Sequence, residues 1–177
     1  MDDFPGSDEL YDVYDEEGRW RGRASRKEVH SDPSLVHRAV HVLVFRPDGR
    51  LLLQKRVAGK DIGAGKWDTS VGGHVDAGED YLSAARREMK EELGLEGVPL
   101  RHIYDLKYRT DKESEDIRTY LTTYGGEVFP HWFEIEAVRE WTCREIEDSL
   151  GKDVFTENFE HEWRAYQRWL EENGPKE

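Results

Sequence analysis

Three glutamates, Glu88, Glu91 and Glu92, stand at i, i+3 and i+4 within Arg87-Glu88-Met89-Lys90-Glu91-Glu92-Leu93. On a helix that spacing projects all three carboxylates from one face. Like charges so placed repel, at roughly 0.3 kcal/mol per pair. Hard divalent cations turn the repulsion into attraction, because they take carboxylate and phosphate oxygens together. Arg87 adjoins the cluster and can orient one carboxylate through a bidentate contact. Glu79, near the start of the same helix, suits the positive end of its dipole and can pair with Arg87. Upstream, Gly72 and Gly73 let backbone carbonyls approach a cation where a side chain would obstruct. An isolated E-x-x-E-E is more often a solvated helix face, so the surrounding pattern has to decide.

The elements that position these residues can be read from periodicity. Leu82, Ala85, Met89 and Leu93 recur at helical spacing from Asp80 to Leu93, and Gly94 stands where helices commonly end. Before that helix, 67–71 reads as a short strand leading into the glycine pair, preceded by a Gly-rich loop over 60–66. Residues 39–45 and 51–55 read as strands joined by the turn Pro47-Asp48-Gly49. An N-terminal hairpin is expected from 10–15 and 19–23, turning at Glu17-Gly18. Strands follow at 100–109, 117–124 and 134–141, then a short helix at 144–150. A last helix, 156–173, carries Phe159, Trp163, Tyr166 and Leu170 along one face and should pack on the domain or on a second subunit. Strands interleaved with helices predict a mixed sheet flanked by helices.

The segment from Gly73 to Leu95 reads G-x5-E-x7-R-E-U-x-E-E-x-G-U with every fixed position filled, U being apolar. On that motif the chain is identified as a member of the Nudix family. The resemblance implies an α/β fold, a Nudix-type α/β/α sandwich with a mixed β-sheet and a loop-helix-loop metal site. It implies metal-dependent hydrolysis of a phosphoanhydride in a nucleoside diphosphate-type substrate by an activated water. Glu88, Glu91 and Glu92, with the Gly72 carbonyl, match the family's ligands for Mg²⁺ or Mn²⁺. Glu91, Glu92, Arg87 and Glu115 form the expected catalytic set, and the general base stays open between Glu91, Glu92 and a loop glutamate. Lys55, Arg56, Lys66 and His74 are candidate substrate-binding residues, with Lys60 a further candidate phosphate contact; each lysine or arginine could equally be routine surface charge. Trp67 and Tyr108 could stack on a base or belong to the core.

A second resemblance covers 29–141, to the isopentenyl diphosphate isomerase branch of the same family. It rests on His30 and His37, on His74 after the glycine pair, and on Glu113 and Glu115 immediately before a strand. Matching residues in the isomerases bind a catalytic metal, and three histidines with two carboxylates suit Mn²⁺, Mg²⁺ or Zn²⁺. Each has an ordinary alternative, His30 as an exposed loop residue and Glu113 and Glu115 as part of a solvated acidic run, while His41 suits ordinary packing in a strand. The isomerase cysteine corresponds to Gly72, so hydrolysis on an isomerase-like scaffold is the expected chemistry. An isomerase-like enzyme and a non-catalytic sensor of nucleotide diphosphates are the alternatives.

Composition bounds the rest. The 177 residues form one expected domain, with the hairpin extension at 1–30, the motif at 73–95 and the terminal helix at 156–173. A formal net charge of −13 argues against bulk nucleic acid, whose binding needs a basic surface, but not against a small phosphorylated substrate reached through a cation. The single cysteine, Cys143, excludes an internal disulfide and a cysteine-based zinc cluster. No stretch approaches the ~20 apolar residues that span a bilayer, and the acidic N-terminus lacks signal-peptide features. A cytoplasmic protein with no membrane association is expected, and a homodimer stays open as its assembly.

Overall fold

The computed structural model describes residues 9–59 and 63–174. Lys60, part of the expected Gly-rich loop and a candidate phosphate contact, and the ends of the expected domain lie outside them.

The organising strand is β3, Val36–Phe45, a nearly continuous apolar run in which only Arg38 is not buried. Such runs suit a strand covered on both faces. One edge of β3 pairs in parallel with β8, Ser114–Thr123, from Val36↔Ser114 to Phe45↔Thr123. The other edge is shared by three antiparallel partners: β1 (Leu10–Tyr14), β6 (Val71–His74) and β4 (Leu51–Arg56). Outward from these lie β2 (Trp20–Ser25) on β1, β5 (Trp67–Asp68) and β9 (Ile135–Trp141) on β4, and β7 (Arg101–Arg109) on β8, completing a nine-stranded mixed sheet.

Helices cover both faces. On one lies α2, Tyr81–Leu93, whose N-cap Asp80 accepts from Leu82 N and Ser83 N and whose C-cap Gly94 takes φ 67°. Its Ala84, Ala85, Met89 and Leu93 pack on Val40, Val42 and Val44. The small alanines let the helix approach the strands closely. On the other face α3 (Cys143–Ser149) and α4 (Glu157–Asn173) bury Ile146, Phe159, Trp163 and Tyr166 against Leu43, Phe45, Leu51 and Leu53. The alternation along β3 therefore divides its side chains between two cores. This is the expected α/β/α sandwich.

Some local expectations need correcting. The single strand expected at 67–71 is two short ones, because Ser70 turns its hydroxyl inward: Oγ donates to Leu52 O and accepts from Val44 N. β8 begins at Ser114, so Glu115 lies inside a strand, and both it and Glu113 are buried instead of solvated. A one-turn helix, α1 (Arg26–Val29), follows β2 through a capping box between Ser25 and Glu28. Leu170 is 38% exposed, so the apolar stripe of α4 stops short of it.

Candidate active site

β6 is a wall with a cluster of titratable groups on each side. On the α2 side Arg87 is the hub. Its guanidinium grips Glu79 with two bonds, Nε to Oε1 at 3.1 Å and Nη2 to Oε2 at 2.9 Å. Nη1 reaches Glu88 Oε1 at 2.7 Å and Glu91 Oε2 at 3.3 Å, while Nη2 also donates to the His74 carbonyl at 2.9 Å. The motif arginine thus ties the helix, the preceding loop and β6 together. Glu92 extends to the edge of β6, where its Oε2 accepts from Gly72 N at 3.1 Å and from Gln54 Nε2 at 2.8 Å.

The glycine pair serves two purposes. A β-carbon at Gly73 would lie 2.1 Å from Glu88 Cδ, so the carboxylate occupies the space that any other residue would fill. At Gly72 it would project to the opposite side, 3.1 Å from Thr69 Cγ2 and 3.3 Å from His41 Cδ2.

Burial raises the Glu92 carboxyl to about 8, with Glu88 adding repulsion and the bonds from Gly72 and Gln54 opposing it. Burial likewise pushes Glu88 up to about 7 against the pull of Arg87. One arginine therefore does not neutralise this group, and a carboxylate set in that condition fits a hard divalent cation.

On the far side of β6 the convergence is tighter. Among the described residues, His30, His37, His74 and Glu115 each offer a ligand atom and these atoms lie within 4.8 Å of one another. The three helix glutamates do not form such a group. His30 Nε2 and His74 Nε2 are 3.2 Å apart, and Glu115 Oε1 lies 3.3 Å from His74 Nε2 and 3.4 Å from His37 Nε2. Strand register explains the meeting: His37 faces Glu115 across β3–β8 and Ala39 faces His74 across β3–β6. α1 brings His30 over them. Glu113 Oε2 stands 3.6 Å from His30 Nε2. Burial, with His74 and Arg26 adding positive charge, lowers His30 to about 3, which keeps that imidazole neutral. Glu115 is held well below the usual carboxylate range; burial alone would raise it, but the close approach of the His37 and His74 rings outweighs burial. Neither ring nitrogen of the fully buried His37 makes a hydrogen bond. Three imidazoles converging on an ionised carboxylate, with no hydrogen bond made by the buried His37 ring, fit a transition-metal cation.

The structure separates some residues that the sequence grouped. Glu115 belongs to the histidine cluster, where Asn158 Nδ2 donates to it, and not to the α2 side. His74 contributes its carbonyl to Arg87 and its ring to the histidines. Lys55 pairs with Glu136, Arg56 with Asp68 and Lys66 with Asp153. The sequence reading missed Glu162, a fully buried carboxylate on α4 bonded to His41, Tyr104 and Thr119; its one signal was a charged residue on the inner, aromatic face of the helix.

A mixed sheet between helices, with an arginine-centred glutamate cluster on the helix that follows a Gly-Gly strand, is the α/β/α sandwich that the motif implies. The chain belongs to the NUDIX domain family, which matches residues 35–162. An uncharacterised Nudix hydrolase of Streptomyces coelicolor is 32% identical over 96% of this chain and 94% of its own length. An isopentenyl-diphosphate Delta-isomerase of Streptomyces avermitilis is 31% identical over 85% and 79%. An uncharacterised Nudix hydrolase of Yersinia pestis is 42% identical over 51% of this chain, which spans about half of that relative's length. In fold the chain resembles a protein of Deinococcus radiodurans, at TM-score 0.74 and 23% identity over 89% of this chain and 98% of that one. It also resembles the NUDIX domain of Shewanella oneidensis NrtR, solved with ADP ribose, at TM-score 0.61 and 13% identity over 76% and 88%. No helix among the described residues is long and apolar enough to cross a membrane.

Proposed function

We propose that this Nudix hydrolase is a Mg²⁺- or Mn²⁺-dependent pyrophosphohydrolase acting on a nucleoside diphosphate derivative. The observation that carries the reading is the Glu88–Glu91–Glu92 set, unneutralised by Arg87 and laid against Gly72–Gly73. Glu88, Glu91, Glu92 and the Gly72 carbonyl are the proposed ligands. A divalent cation there supplies charge stabilisation on the phosphoryl oxygens and a more acidic water.

The chain's own groups supply the rest. Arg87 fixes the rotamers of Glu88 and Glu91 and is itself fixed by Glu79. Glu91, Glu92 or a loop glutamate takes the proton from a water whose oxygen attacks phosphorus. The bridging P–O bond breaks and its electrons leave with the second phosphate, so one anhydride yields two phosphate monoesters. Glu115, given its place among the histidines, is the weaker candidate for base. Lys55, Arg56 and Lys66 would exchange their carboxylate partners for substrate phosphates, an exchange that near-surface ion pairs permit at small cost.

One observation favours a second reading, an isomerase-like use of the scaffold. His30, His37, His74 and Glu115 form the tightest ligand group, and Glu113 adjoins it. Gly72 opposes this reading, since no acid–base side chain stands there. Phosphate-monoester release from ADP-ribose, sugar nucleotides, dinucleoside polyphosphates and isopentenyl diphosphate, with Mg²⁺ and with EDTA, tests the assignment. Metal-dependent cleavage of a nucleotide substrate supports hydrolysis. Deuterium uptake into isopentenyl diphosphate without cleavage would replace hydrolysis with isomerisation. Tight nucleotide binding without turnover would make the protein a sensor.

A further inference from the structure

Behind Gly72 runs a chain of buried polar groups that the proposed chemistry does not use. His41 lies on β3 in register with Gly72, and its Nδ1 is 2.6 Å from Glu162 Oε2. Glu162 also accepts from Tyr104 Oη at 2.5 Å and from Thr119 Oγ1 at 3.0 Å. A buried carboxylate with three donors is fixed in place, and it fixes the imidazole in turn. The ring abuts Gly72 closely enough that a β-carbon there would sit 3.3 Å from His41 Cδ2. Gly72 N, on the same peptide wall, donates to Glu92.

The position of Glu162 argues against a purely structural purpose. Its neighbours on the inner face of α4 are Phe159, Trp163 and Tyr166. Apolar residues of similar volume in place of the whole hydrogen-bonded set of Glu162, His41, Tyr104 and Thr119 would pack there without the desolvation cost of a buried charge, and such replacements of a complete network are often neutral or stabilising. We propose that Glu162 and His41 are positioning residues for the Nudix site, bracing β6 from behind so that Gly72 presents its N–H to Glu92 and its carbonyl to the cation. The brace runs from α4 through β3 to β6, three elements far apart in sequence. This inference rests on the glutamate set being the cation site.

The test is Mg²⁺ binding to the metal-free full chain by calorimetry, because Mg²⁺ prefers the carboxylates over the histidine cluster. Glu162→Leu should weaken Mg²⁺ binding about tenfold (~1.4 kcal/mol). Glu162→Gln, which keeps a bond to His41 without the charge, should recover most of that loss. An unchanged Mg²⁺ affinity in a folded Glu162→Leu overturns the proposal, as does equal loss in both variants. If Glu162→Leu fails to fold, Tyr104→Phe and Thr119→Val remove bonds to Glu162 singly and together. Affinity should fall with each bond lost, and a flat series overturns the brace. Glu92→Gln separates the two readings: if it leaves Mg²⁺ binding intact, the cation site itself is misplaced. If it abolishes binding while the Glu162 and bond-removal variants have no effect, only the brace fails.

Discussion

Glu88 fills the space that a β-carbon would need at Gly73, with 2.1 Å between that position and Glu88 Cδ. The glycine is therefore required by the carboxylate as well as by any approaching cation. Gly73→Ala should swing the Glu88 carboxylate out of its seat beside Arg87, at a stability cost of about 1 kcal/mol for the lost contact. Hydrolysis should fall at least a hundredfold, read from kcat and from the thermal midpoint. Retained activity would show that Glu88 does not need that seat.

Arg87→Ala should be costlier than an ordinary surface substitution. Glu79, Glu88 and the exposed Glu91 all lean on one guanidinium, and its loss leaves the part-buried carboxylates of Glu79 and Glu88 without a counter-charge. We expect a loss of about 2–3 kcal/mol, partly restored by added Mg²⁺. Arg87→Lys should recover little, since one ammonium cannot reproduce the fork on Glu79. Chemical denaturation with and without Mg²⁺ checks both statements.

The raised carboxyls give metal-free protein a pH signature. Folded Glu88 and Glu92 titrate near 7 and 8, above the ordinary glutamate value, so folding favours their protonated forms. Their contribution is fully present below the unfolded value of about 4.5 and is lost as pH climbs through 7 to 8. Thermal midpoints measured in EDTA should thus fall over that window, and less steeply in Glu92→Gln. Mg²⁺ should cancel the fall, because its binding requires the ionised carboxylates. Midpoints identical with and without Mg²⁺ at pH 8 would contradict this.

The histidine cluster predicts a second, chemically distinct cation site. Zn²⁺ or Mn²⁺ should raise the thermal midpoint through the folded state alone, by ~2.7 kcal/mol at one hundred times the dissociation constant. His37→Ala and Glu115→Gln should each remove that gain while sparing the response to Mg²⁺. A gain that survives both substitutions would place the ion elsewhere.

How much of this was legible follows from sequence distance. The α2 cluster was visible because Arg87, Glu88, Glu91 and Glu92 lie within two turns of one helix, where spacing fixes geometry, and Glu79 stands just before its N-cap. Even so, the reason for Gly73 needed the structure, since Glu88 approaches it across α2 and β6. The histidine set was named from resemblance, but only the parallel pairing of β3 with β8 puts His37 opposite Glu115. That register depends on a strand beginning at Ser114, which the acidic, loop-like run Asp111–Asp116 concealed. Glu162 and His41 are 121 residues apart, and periodicity marks α4 as amphipathic without saying what a charge on its inner face would meet. Lys55 and Lys66 illustrate the converse, as composition shows the charges but not the carboxylates they pair with.

If cations captured by the α2 glutamates drive anhydride cleavage, Glu92→Gln should abolish it. Wild-type and variant protein would be assayed for Mg²⁺-dependent release of phosphate monoesters from ADP-ribose and the other substrates above, at matched thermal stability. The wild type should cleave at least one substrate, and the variant should lose several orders of magnitude in rate with its fold intact. Cleavage at the wild-type rate by a stably folded Glu92→Gln would contradict it.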